Sequence, residues 1–174
     1  ILRQALEHHS DFACFMDDDD VALPHMLSVY MRVALATGAE VLTDFSDNYD
    51  LDAKGHPVFS HRSMAVGDAL SHNFFINNFG KANFCARPAP ALRIGGHQTG
   101  PQSNSPYVDW GFFTRASLHK LRIGLVPLAL YKYTKHSKDS IWYSMTSQRN
   151  RFDGHGKMVR DLQDVVPESL RDMI

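Results

Sequence analysis

Apolar residues in this chain fall in short blocks, and the spacing inside the blocks changes along it. Phe12-Ala13-Cys14-Phe15-Met16 is apolar throughout and bounded by polar residues, which predicts a short buried strand. Pro24 to Thr37 instead place Met26, Leu27, Tyr30, Val33 and Ala34 at helical spacing, and Gly38 supplies a stop. Glu40 to Phe45 predict a second strand, so this part reads as strand–helix–strand, the pattern of a parallel crossover. Ile1 to His9 suit the end of a helix feeding the first strand.

Beyond residue 46 the text is more polar. Asp47 to Gly55 is turn-rich, with a hairpin available at Asp50 to Gly55, and its charges fit a solvated loop better than a second metal site. Met64 to Phe84 is mixed, with an apolar cluster at Phe74, Phe75, Ile76 and Phe79. Asn73, Asn77, Asn78 and Asn83 are scattered through it; asparagines in irregular chain satisfy nearby backbone more often than they read sugar hydroxyls. Residues 97–106 are rich in Gly, Pro, Ser, Asn and Gln and read as a mobile lid. A helix is expected from Trp110 to Leu121 and a short strand near Gly124 to Val126. Leu128 to Tyr133 are apolar and aromatic, and Lys157 to Ile174 hold a helical stretch broken by Pro167.

Composition narrows the classes. A chain of 174 residues can bury one good core and does not require two domains. With 44% hydrophobic and 21% charged residues it is ordinary for a globular protein, and a net charge of −1 gives no basic surface for nucleic acid. No run of 18 apolar residues predicts a membrane span. Cys14 and Cys85 form no CxxC pair, and Cys14 reads as a small buried hydrophobe, so no disulfide framework is expected. Ten histidines are many for this length, but the number alone proves no metal chemistry. The opening Ile1-Leu2-Arg3-Gln4-Ala5-Leu6, without an initiator methionine, reads as a fragment of a longer polypeptide.

The chemistry concentrates where the first strand ends, in Asp17-Asp18-Asp19-Asp20. Open α/β sheets bind ligands at the carboxyl ends of their strands. Four adjacent carboxylates repel one another, and Mg²⁺ or Mn²⁺ would relieve that strain through oxygen ligands while leaving sites for phosphate. The plainer alternative is a helix start, with Asp20 as cap, Pro24 in the first turn and the other acids favouring the dipole. Asp17 to Val21 also match the DxDx[TV] signature of haloacid-dehalogenase-like phosphatases, in which Asp17 would be the nucleophile and Asp19 the acid. The late acidic motif of those enzymes has only Gly67-Asp68-Ala69-Leu70-Ser71-His72 as a candidate, ending in histidine.

Four segments in order resemble the family 2 glycosyltransferases of GT-A fold. Phe15-Met16-Asp17-Asp18-Asp19-Asp20 with Leu23-Pro24-His25-Met26-Leu27 is similar to that family's hydrophobic-D-x-D-D stretch and following helix. Ile94-Gly95-Gly96 and Val108-Asp109-Trp110-Gly111-Phe112-Phe113-Thr114-Arg115 resemble its acceptor-side GG…ED(W)…R segment. Gly124 to Tyr131, and then Tyr133-Thr134-Lys135-His136 through Ser140, resemble its closing motifs. Val108 replaces the usual glutamate, and Thr134 stands where arginine is common, with Lys132 or Lys135 left to supply charge.

The resemblance implies an α/β fold, a Rossmann-like mixed sheet flanked by helices with its N-terminal strands missing. It implies a single partial domain over residues 1–174, divided into a DxD strand–helix–strand part (1–60), an acceptor-side part (61–140) and a helical tail (141–174). The implied activity is metal-dependent, inverting transfer of a sugar from a nucleotide-diphosphate donor to an acceptor hydroxyl in polysaccharide biosynthesis. Asp17, Asp18 and Asp19 would bind the donor, and Asp19, Asp17 and His136 the Mn²⁺ or Mg²⁺. Asp109 would be the base, and Gly95, Gly96, Trp110 and Arg115 would face the acceptor. Each of the last four has a bland reading: a plain turn for the glycines, core for Trp110, surface for Arg115. The implied partners are a UDP-sugar, a glycan or glycoconjugate acceptor and the missing N-terminal part of the same polypeptide. The implied location is cytoplasmic, with a peripheral hold on the inner membrane through other parts of the chain left open. A dehalogenase-like phosphatase and a degenerate carbohydrate- or protein-binding module remain the alternatives.

Overall fold

The computed structural model describes residues 1–97 and 108–135, together with residues 156, 162, 166 and 168. Helix α1 (Leu2–Glu7) leads into β1 (Ala13–Phe15), and β2 (Val21–Ala22) follows the aspartates. Then come α2 (Met26–Thr37), β3 (Val41–Leu51), β4 (Pro57–Ser63), α3 (Leu70–Asn73), β5 (Phe84–Ala86), α4 (Pro88–Arg93), α5 (Val108–Leu118) and β6 (Ile123–Thr134). The strands form one mixed sheet in the order β1-β5-β3-β6-β2, with β4 paired to β3.

β1 and β3 run the same way, as a crossover predicts, yet they are not neighbours. β5 lies between them and is antiparallel to both. The three-residue β5 carries no alternation to announce it, because both its faces are buried. β3 also outruns its predicted end at Phe45. It continues through Ser46, Asp47, Asn48, Tyr49 and Asp50 to Leu51, pairing with β6 in parallel and with β4 through a hairpin at Asp52 to His56. The two apolar segments around Pro127 are one strand; Val126 and Ala129 pair with consecutive β3 residues, so Pro127 and Leu128 bulge out where proline has no N–H to give.

Adjacent residues on the central strands face opposite cores. Val41 and Phe84 join Leu2, Ala91, Trp110, Phe112 and Phe113 on the side of α1, α4 and α5, together with Leu162 and Val166. Leu42 and Cys85 join Met26, Tyr30, Ala34, Val126 and Leu130 under α2. Gly38 ends α2 in the left-handed conformation, φ 66°, as predicted. No helix among the described residues is long and apolar enough to cross a membrane.

Candidate donor and base site

The aspartates occupy a turn between β1 and β2, closed by a hydrogen bond from the Asp20 N–H to the Asp17 carbonyl at 3.3 Å. This removes the helix-cap reading: the helix starts only at Met26, after His25, and has no side-chain cap. The turn is held from two sides. β2 pairs with β6 at Val21↔Lys132 and Ala22↔Tyr131, and the Leu23 N–H donates to the Leu130 carbonyl at 2.8 Å. From β5's side, Asn83 accepts from the Asp17 N–H at 2.8 Å and donates to Asp20 Oδ2. One buried carboxamide thus clamps both ends of the turn, while Asp17, Asp18 and Asp19 stand exposed.

The electrostatics follow from that placement. Loss of surrounding water, then the charges of Asp19 and Asp18, raise the Asp17 carboxyl above its ordinary value. Burial pushes Asp20 up to about 6 against the Asn83 hydrogen bond, and its Oδ1 is buried without a hydrogen-bond partner. The cation whose field reaches Asp20 is Lys81; burial lowers its ammonium to about 8. Lys81 Nζ donates to Asn48 Oδ1 at 2.7 Å and lies 4.1 Å from the Tyr133 ring centroid. Tyr133 is raised by burial and by Asp20, Asp19 and Asp17 in turn, so its ring borders the same acids. Of the lysines suggested by the sequence, Lys132 lies over the Tyr49 ring at 5.6 Å, and Lys135 reaches Asp50 at 3.6 Å.

Asp109 sits in the first turn of α5. Burial lifts its carboxyl to about 6, partly offset by the Trp110 N–H and by Asn77 Nδ2 at 3.4 Å, and the charge of Asp17 adds to the rise. The charge of Asp17 thus reaches Asp109 across 92 residues of sequence (109 − 17), as the smallest of the influences on it. The segment from Asn77 to Asn83 serves both sides, with Asn77 on Asp109, Lys81 beside Asp20 and Asn83 under the turn. It can pass this close only because residue 80 is glycine: a Cβ there would overlap the Thr43 hydroxyl.

Several expected acceptor residues have structural duties instead. The Gly95 and Gly96 N–H groups close the end of α4 on the carbonyls of Leu92 and Ala91, so they are not offered to a sugar. Trp110 is buried and its Nε1–H donates to the Asn73 carbonyl at 2.6 Å, which makes it core rather than a stacking platform. Arg115 is buried too, and holds the carbonyls of Ile94 at 3.2 Å and Gly96 at 2.7 Å; it is neither a surface residue nor a rim contact. Asp68, the late acid of the phosphatase reading, bonds Ser117 at the surface. His136, Ser140, residues 98–106 of the expected lid, and the 141–174 tail apart from residues 156, 162, 166 and 168 lie outside the described residues. Asn77 and Asn83 stand out in the sequence only among scattered asparagines, read there as satisfying nearby backbone more often than sugar hydroxyls, and nothing in the sequence singles out Lys81.

Among the described residues no three His, Cys, Asp or Glu side chains converge as a closed metal cage. Hard divalent ions at diphosphates need fewer, one or two carboxylates with the phosphates completing the shell. The exposed Asp17 and Asp19 and the orphaned Asp20 oxygen fit that need.

No protein-family model matches the chain, and no curated protein matches it in sequence. Among solved structures it is similar to residues 1–349 of S. aureus TarS in complex with UDP-GlcNAc, with TM-score 0.65 at 17% identity over 98% of this chain and 47% of that one. The same TarS segment in complex with UDP gives 0.56 at 18% identity, over 98% and 46%; a further TarS structure gives 0.54 at 16%, over 94% and 29%. The chain thus spans less than half the length of each. TarS is a glycosyltransferase of GT-A type, and likeness at this identity establishes the fold of this chain as GT-A.

Proposed function

We propose that this chain carries the metal and base half of a GT-A glycosyltransferase site, moving a sugar from a UDP-linked donor to an acceptor hydroxyl. The observation that carries this reading is that the charge of Asp17 reaches the Asp109 carboxyl, in a fold similar to that of a protein seen bound to UDP-GlcNAc. Asp17 and Asp19 would hold Mn²⁺ or Mg²⁺, which when bound neutralises charge on the leaving diphosphate. Lys81, the cation in reach of the turn, adds positive charge on the donor side that Thr134 does not supply. Asn83 fixes the spacing of the aspartates and Asn77 orients the Asp109 carboxyl.

Asp109 takes the proton from the acceptor hydroxyl as that oxygen attacks the anomeric carbon. A carboxyl raised to about 6 suits this: it is ionised at neutral pH yet more basic than a solvated aspartate. One base and an in-line attack predict inversion at that carbon. The acceptor class is a glycan or glycoconjugate.

Isothermal titration of UDP, then GDP, with and without Mn²⁺, tests the donor side. Binding that needs Mn²⁺ and disappears in Asp19→Ala supports the reading. UDP binding indifferent to both Mn²⁺ and Asp19→Ala would remove the aspartates from the donor site. No binding of either nucleotide would deny this chain a donor site of its own.

A further inference from the structure

β1 and β5 carry one cysteine each, and their antiparallel register sets Cys14 directly opposite Cys85. Directly opposed residues have Cα atoms about 4.5–5.5 Å apart and side chains on one face of the sheet. A disulfide accepts Cα separations of about 4.4–6.8 Å, so this backbone spacing is already suitable. The two sulfurs are 3.1 Å apart, and both cysteines are free thiols. Cys85 is fully buried, whereas Cys14 is part-exposed and reachable by a small oxidant. The hydrogen bond between them lowers the Cys14 thiol and raises Cys85, so Cys14 is the sulfur that ionises first.

We propose that Cys14 and Cys85 are an oxidisable dithiol site, which a peroxide converts to an intrachain disulfide joining β1 to β5. The Cys14 thiolate attacks a peroxide oxygen; the S–O bond forms as O–O breaks, and the departing hydroxide leaves as water with a proton from solvent. Cys85 sulfur then attacks Cys14 sulfur, the S–S bond forms as S–O breaks, and the Cys85 proton leaves with the hydroxide as a second water. The two cysteines lose two protons and two electrons, and one hydrogen peroxide becomes two waters.

The position gives the bond a consequence. Asp17 lies three residues after Cys14 and Asn83 two before Cys85, and the Asp17 N–H bonds Asn83 Oδ1. The disulfide would close a ring containing that hydrogen bond, tying the aspartate turn covalently to β5. It also links positions 71 apart in sequence, which restricts the unfolded chain. The inference is independent of the glycosyl-transfer reading.

The test is native treatment with a small excess of hydrogen peroxide, thiol blocking after denaturation, and peptide mass mapping without reductant. Expected are joint loss of both thiols, a linked Cys14–Cys85 peptide pair that dithiothreitol releases, and a Tm rise on the order of 5 °C. In Cys14→Ser, a change at the part-exposed position, Cys85 should survive the same treatment as a free thiol. Cys14 sulfinic acid with Cys85 still titratable, disulfides only between molecules, or two intact thiols after treatment would each overturn the proposal.

Discussion

The Asp17–Asp20 turn and the α5 segment from Asp109 to Arg115 hold most of the chain's distinctive polar chemistry, and the fold treats them in opposite ways. In the turn the backbone is held inside, by Asn83 and by β2–β6 pairing, while Asp17, Asp18 and Asp19 project outward. In the helix every residue from Trp110 to Ala116 is buried, and the polar atoms of Trp110 and Arg115 go to carbonyls of Asn73, Ile94 and Gly96. A helix buried from Trp110 to Ala116 leaves only its two ends, Val108–Asp109 and Ser117–Leu118, part-exposed. Asp109, the acid of this segment, lies at the first of those ends. Residue type alone does not separate Asp109, at the part-exposed start of the helix, from the buried Arg115 six positions on; the packing around the helix does.

The largest expected effect breaks that comparison at its reactive end. Asp109→Asn should lower sugar transfer by about 10²–10⁴-fold while leaving Mn²⁺-dependent UDP binding intact, since it removes a proton acceptor and nearly preserves shape. In the unaltered protein, transfer should rise with pH through about 6, as Asp109 ionises, and the variant should lose that rise. Initial rates across pH 5–8, with calorimetry alongside, check both. Unchanged turnover in the variant would deny Asp109 the role of base.

At the structural end of the same helix, Trp110→Phe should cost about 2–3 kcal/mol of stability, from a smaller ring in the core and a buried Asn73 carbonyl without its donor. Denaturant unfolding measures this. The KM for acceptor should stay put, because the indole is 6% exposed and faces the core cluster rather than a sugar. A raised acceptor KM without loss of stability would return Trp110 to the binding surface.

The outline of both halves of this comparison was legible in the sequence, since the helix expected from Trp110 to Leu121 is α5, Val108–Leu118; the burial of that helix was not. An apolar run ending in acids places the turn, and helical spacing with Gly38 places α2, because each is a local pattern. β3 beyond Phe45 was hidden: Asp44, Ser46 and Asn48 are buried polar residues, so its inward face looks like loop text. β5 and β2, three and two residues long, are too short for any periodicity. The duties of Asn83 and Arg115 arise from partners 63 or more and 19 or more positions away, which no local pattern carries.

Asn83→Ala probes the inner support of the turn. It leaves the Asp17 N–H without its acceptor and frees Asp20, but removes no expected ligand. Partners that orient ligands typically matter by 10–100-fold in metal affinity, and a loss of that size in Mn²⁺-dependent UDP binding is expected here. Binding unchanged in Asn83→Ala would show that β2–β6 pairing alone holds the aspartates in place.

The smallest effect concerns a carboxyl that belongs to neither segment. Asp44 is buried, with Tyr30 donating to Oδ1 at 2.9 Å, and burial raises it to about 7 against the Tyr30 hydroxyl, the Leu130 N–H, the charge of Lys81 and its own N–H; Tyr131 also faces it. A carboxyl whose folded value exceeds its unfolded one stabilises the fold in its protonated form. That contribution is complete below about 4 and is lost as pH rises through about 7. Between pH 5.5 and 8 the loss should be roughly 1–2 kcal/mol. Asp44→Asn keeps the Tyr30 contact without ionising, so the slope of stability over this window should shrink by that amount. What slope persists is shared: Asp20 and Asp109, each raised to about 6, and the raised Asp17 lose stability as pH rises near the acid end of the window, while His97, lowered to about 4 by burial, gains it there. Urea melts of both proteins at the two pH values decide it. Parallel pH profiles would mean that Asp44 is already ionised at pH 5.5, with Lys81 balancing it through Asn48 and the buried end of β3.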